Sequence, residues 1–122
     1  MSETNEKSET TEQTEKREPT TIYVDIDGTL TKDPEEKWGE VHQNRIDKVK
    51  EFIDNNHIVI VWSGNGIIYA NEFCKKYDIK PLAALSKPDY YVDDKINIRA
   101  EGKLIHLPPE RLDHVTEKAE EN

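Results

Sequence analysis

The chain has 122 residues and a mass of 14.2 kDa, which leaves room for one domain around one hydrophobic core. Its net charge is −9 and nothing in it resembles a basic stripe, so stable binding of duplex nucleic acid is not expected. Cys74 is the only cysteine, which excludes an internal disulfide and suits a reducing compartment; with no apolar run long enough for a membrane span and an acidic, polar start, the expected location is cytoplasmic.

Residues 1–19 contain no aromatic residue and no Val, Leu or Ile, and carry a glutamate at every third position from Glu3 to Glu18. A period of three matches neither a helix face nor a strand face, so 1–19 reads as a disordered acidic tail. Thr21-Ile22-Tyr23-Val24 opens the domain as a strand, and His57-Ile58-Val59-Ile60-Val61-Trp62 reads as a second. Neither run alternates, as expected of strands covered on both faces in a parallel sheet. Between them, Ile46, Val49, Phe52 and Ile53 line one face of a helix over Asn44–Asn55. A second helix is expected from about Gly66 to Tyr77, with Ile67, Ala70, Cys74 and Tyr77 on its stripe.

Three further strands are expected: a weak one at Pro81–Leu85, a better one at Asp89–Val92, and Lys103–Leu107 before Pro108-Pro109. The expected domain is 20–109, followed by an acidic tail or short helix over 110–122, where Leu112 and Val115 offer apolar contacts. Strands alternating with helices predict an α/β fold, a three-layer Rossmann-like parallel sheet with ligands beyond the carboxyl ends of the strands.

Those ends carry four polar groups: Asp25-Ile26-Asp27-Gly28-Thr29, Ser63-Gly64-Asn65, Lys87, and Asp93-Asp94. Residues two apart in an extended segment share a face, so Asp25 and Asp27 can both look into one crevice, and Gly28 lets the chain turn. Gathered carboxylates repel each other, and a hard divalent cation with oxygen ligands relieves that repulsion, with magnesium the natural choice. Lys87 adds a compact positive charge, and Ser63 with the amides around Gly64 can donate to phosphate oxygens.

In this order, the four elements resemble the haloacid dehalogenase superfamily of phosphatases over roughly residues 20–107, and within it small members without a cap domain. The resemblance implies a magnesium-dependent phosphomonoester hydrolase. Asp25 would be the nucleophile forming an aspartyl-phosphate, and Asp27 the acid/base, steadied by Thr29. Ser63, Gly64 and Lys87 would hold the phosphoryl group. The metal set would be Asp25, Asp27, Asp93 and Asp94, which leaves open which of Asp93 and Asp94 binds directly. Only residues 30–43 separate the first strand from its helix, too few for a folded cap. An open site suits a small phosphorylated molecule, a large phosphorylated substrate, or a homo-oligomer whose neighbouring subunit covers it.

Each group also has a plainer reading: a polar turn for Asp25 and Asp27, helix caps for Ser63 and for Asp93-Asp94, a solvated lysine for Lys87. Trp38 reads equally as a substrate contact or an aromatic lid over the core edge, and the four histidines lack metal-ligand spacing. The alternative function is a catalytically silent phosphate- or metal-binding module acting through a protein partner. A phosphorylated receiver domain is set aside, because its acidic pair comes at the first strand and its lysine near the end.

Overall fold

A computed structural model of the chain describes residues 19–35, 37–94 and 105–115. Thr21–Asp25 forms β1, Gln43–Asp54 α1, Ile58–Ser63 β2, Ile67–Lys76 α2 and Ala83–Ser86 β3, and a 3-10 helix, Pro109–His114, follows. The strands pair in parallel in the order β1-β2-β3. Thr21 stands opposite Ile58 and Asp25 opposite Trp62, while Ser63 stands opposite Ser86. This register brings the carboxyl ends of all three strands to one edge of the sheet.

The α/β architecture with a Rossmann-like parallel sheet is as the sequence led us to expect. The strand order does not reverse, however, and right-handed crossovers in a single direction lay both helices on one face. Ile22 and Val24 of β1 and Val59 and Val61 of β2 bury against Ile46, Val49 and Phe52 of α1 and Ala70, Phe73 and Cys74 of α2. On the opposite face Tyr23 and Trp62 meet edge to face, with ring centroids 4.8 Å apart. Among the described residues, a second helical layer is not seen. Truncating Phe52, which lies fully inside this core, would cost about 3–5 kcal/mol.

Both helices stop where a short polar residue takes a left-handed backbone, Asn56 (φ 70°) after α1 and Asp78 (φ 57°) after α2. The chain then reverses, with His57 N–H donating to the Phe52 carbonyl and Ile79 N–H to that of Cys74. The stripe on α2 is shifted from the expected one. Ile67 is 51% exposed in the first turn, and Phe73 takes the central buried place.

Two of the expected strands are corrected. Tyr90, Tyr91 and Val92 are exposed and form no strand. The sheet ladder ends at Lys87, whose N–H donates to the Ser63 carbonyl, and Pro88 has no N–H with which to continue it. Ile105–Leu107 is also not a strand, and 103–104 lie outside the described residues, as do 1–18, 95–104 and 116–122. All but the last residue of the tail expected over 1–19 therefore lies outside the described residues. Leu112, on the 3-10 helix, is buried in the core. No helix among the described residues is long and apolar enough to cross a membrane.

Candidate active site

Asp25 is the last residue of β1, and Ile26 beyond it is fully buried. The carbonyl of Ile26 accepts from the N–H groups of Thr29, Leu30 and Thr31 at 3.1, 2.8 and 3.0 Å, which wraps Asp27–Leu30 into a tight turn. Gly28 makes this turn possible with φ +85°, a conformation that L side chains rarely adopt. Thr31, fully buried, accepts from Gly28 N–H at 3.1 Å through Oγ1. Arg45 of α1 fixes the outer side, donating from Nη1 to the Thr29 carbonyl at 2.9 Å.

Both Asp25 oxygens are held. Lys87 Nζ lies 3.1 Å from Oδ1, and the Thr29 hydroxyl donates to Oδ2 at 3.2 Å. Lys87 also stands 5.9 Å from the Trp62 ring centroid, so an aromatic face borders the ammonium. Both Asp27 oxygens are held as well, by partners from the next crossover: the Tyr69 hydroxyl donates to Oδ1 at 2.5 Å and Asn65 Nδ2 to Oδ2 at 2.9 Å. Burial, followed by the bond to Asp27 and its charge, drives the Tyr69 phenol far above its ordinary range. The Asp25 charge acts on the same phenol, so the two carboxylates address one region.

Ser63 ends β2 and is only 1% exposed, its Oγ accepting the Asn65 N–H at 2.9 Å. It thus shapes the turn through Gly64 that leads into α2. Gly66 closes that turn with φ +108°, its N–H donating to the Ser63 carbonyl. Asp93 and Asp94 lie at the exposed end of the stretch after Pro88. Among the described residues, no group of three or more Asp, Glu, His or Cys is gathered in a way that could hold a metal ion. The structure therefore brings Asp25, Thr29 and Lys87 together and pairs Asp27 with a second set of donors, but does not draw Asp93 and Asp94 into one carboxylate group with them.

Residues 31–35 and 37–41 belong to a short flap between β1 and α1. Its base is closed by an antiparallel bridge between Thr31 and Val41, by Lys32 N–H donating to the Glu40 carbonyl, and by His42 N–H donating to that of Leu30. Trp38, at φ 53°, packs its ring against Tyr69 and Phe73 at 5.7 and 6.2 Å. Of its two sequence readings, the aromatic lid over the core edge describes this packing. Burial and the nearby Arg45 and Lys32 cations push His42, at the flap's end, below its ordinary value.

Sequence reasoning missed Tyr69, Thr31 and Arg45. None of the three left a local signal: Tyr69 sits in the first turn of α2, whereas Asn65, its fellow donor to Asp27, lies before the non-helical Gly66. Magnesium chemistry can be tested against the donors. Asp25 and Asp27 offer hard carboxylate oxygens with no sulfur or imidazole among them, a set that suits a cation keeping several of its ligands as water and phosphate.

A lysine-paired aspartate thus stands at a strand end of a parallel α/β sheet, with a second carboxylate two residues on. The model of the haloacid dehalogenase-like hydrolases matches residues 22–105, and the chain belongs to that family. It is a hydrolase of the haloacid dehalogenase superfamily. No curated protein and no solved structure matches the chain.

Proposed function

We propose that the protein is a magnesium-dependent phosphomonoester hydrolase that works through an aspartyl-phosphate on Asp25. The observation that carries this reading is the pair of contacts on Asp25, Lys87 Nζ at 3.1 Å and the Thr29 hydroxyl at 3.2 Å. They orient a carboxylate at the mouth of the sheet beside a cation able to neutralise it as an anionic phosphate approaches.

An Asp25 oxygen attacks phosphorus and the bond to the leaving oxygen breaks, with Asp27 giving that oxygen a proton. Asp27 then takes a proton from water, whose oxygen attacks the phosphorus. The bond to Asp25 breaks, inorganic phosphate leaves and the free carboxylate returns. Lys87 and the Ser63–Asn65 turn at the start of α2 hold the phosphoryl oxygens, with Gly64 allowing close approach. Magnesium would be held by Asp25 and the Asp27 carbonyl, with its remaining places taken by water and phosphate. When bound it supplies positive charge between the carboxylate and the phosphate.

Purified protein supplied with magnesium and an aryl phosphate should release phosphate, and Asp25→Asn should abolish the release. An Asp25→Asn protein as active as the parent would sink the assignment. Uniform silence of the parent on a panel of phosphate esters would favour the non-catalytic binding module.

A further inference from the structure

A cavity of ≈ 350 Å³, open to solvent, lies beside Asp27 and is lined by Asp27, Pro34, Glu35, Lys37, Asn65 and Tyr69. The flap supplies Pro34, Glu35 and Lys37, and α2 with its leading turn supplies Asn65 and Tyr69. The flap is seated firmly on the motif turn: a Cβ built on Gly28 would stand 3.1 Å from Pro34 Cβ. The cavity and the acid/base carboxylate are therefore one structure, joined through Tyr69, which both walls the cavity and donates to Asp27 Oδ1.

We propose that this cavity receives the leaving group, that its occupant is a small, uncharged, polyhydroxylated alcohol, and that Tyr69 and Asn65 are positioning residues that keep Asp27 aimed at the ester oxygen. The proposal rests on the phosphohydrolase reading above.

Three observations support it. First, the cavity sits at the low end of ligand-site volumes, large enough for a monosaccharide-sized group. Second, among the described residues its charged walls are two carboxylates, Asp27 and Glu35, against one ammonium, Lys37, which already lies over the Trp38 and Tyr69 rings at 5.1 and 5.9 Å. A leaving group with its own phosphate or carboxylate would be repelled. Hydroxyls are suited, since they can donate to Glu35 and accept from Lys37 and Asn65. The aromatic wall among the described residues, Tyr69, already has Trp38 and Lys37 against it, which leaves little for a nucleobase to stack on.

Third, an acid fixed through both oxygens matters most when the departing oxygen is a poor leaving group. An alkoxide must be protonated as its bond to phosphorus breaks, with the proton passing from Asp27 to the ester oxygen. A nitrophenolate departs without that help. The clamp on Asp27 thus matches aliphatic esters.

The test compares the parent protein, Tyr69→Phe, Asn65→Ala, Glu35→Gln and Lys37→Met, with magnesium, on a hexose phosphate and on nitrophenyl phosphate. The parent should prefer the hexose phosphate. Tyr69→Phe and Asn65→Ala should lose kcat on the hexose phosphate roughly tenfold more than on the aryl ester, because only the former needs the proton. Glu35→Gln and Lys37→Met should raise KM for the hexose phosphate with little loss of kcat, roughly tenfold beyond any change on the aryl ester. Equal losses on both substrates, or a parent that prefers the aryl ester, overturn the inference while leaving the phosphohydrolase reading intact. A parent silent on both substrates overturns the two together.

Discussion

Lys87 Nζ and Asp25 Oδ1 lie 3.1 Å apart although the residues are far separated in sequence, and the sheet itself sets that distance. Lys87 N–H donates to the Ser63 carbonyl at 2.9 Å, extending the β2–β3 ladder by one step, and β2 pairs in turn with β1, which ends on Asp25. The cation that neutralises the candidate nucleophile is thus placed by backbone bonds. Lys87→Met should lower kcat/KM for phosphate release by roughly 100-fold and leave the thermal midpoint nearly unchanged, because the pair is partly solvated. Lys87→Arg should not restore the rate, since the planar fork cannot take the place of a compact ammonium. Steady-state kinetics beside a melting curve decides this.

Thr31 is the buried support of the motif turn. Thr31→Val keeps the shape but removes the oxygen that accepts from Gly28 N–H. We expect a loss of about 1–3 kcal/mol in urea unfolding, with activity falling further as the turn loosens. Unchanged stability would mean that the Gly28 amide finds another acceptor.

Gly28→Ala combines two penalties, a left-handed backbone at φ +85° and a Cβ 3.1 Å from Pro34 Cβ. The backbone part should cost about 1–2 kcal/mol. Truncating the partner in Gly28→Ala/Pro34→Gly should recover only the contact part. A double-mutant cycle in urea separates them, and full recovery would show that the backbone is not strained there.

Cys74 is 5% exposed, and burial pushes its thiol up to about 11 from an ordinary 9.0. The folded chain then keeps a proton that the unfolded chain has released. This contribution to stability is whole below about pH 9 and declines as pH climbs toward 11. The unfolding free energy should drop between pH 8.5 and pH 10.5 more steeply in the parent than in Cys74→Ala. A disulfide reagent should label the thiol only in denaturant. Rapid labelling of the native chain would contradict the burial.

The elements legible in the sequence were those whose pattern is local. The apolar runs at Ile22–Val24 and Ile58–Trp62 became β1 and β2, and the stripe Ile46-Val49-Phe52 became the inner face of α1. Asp89–Val92 had good strand chemistry, yet a strand exists only where a neighbour supplies a ladder, and the chain leaves the sheet at Pro88. The weaker run at Pro81–Leu85 did become a strand, Ala83–Ser86, because β2 stood beside it. In the site, Asp25, Thr29 and Lys87 could be picked out from their order along the chain. Tyr69 could not, since its meaning comes from lying 42 residues beyond Asp27 in sequence and one hydrogen bond away in space.

The closed base of the flap has a consequence for how such a domain can be elaborated. With Thr31 and Val41 already bridged, the segment between them begins and ends at one point on the surface. Additional chain spliced there leaves the sheet register and the motif turn undisturbed, and each doubling of its length adds only about 0.6 kcal/mol of closure entropy. The flap could thus be refitted with a larger roof while the strands beneath stay as they are.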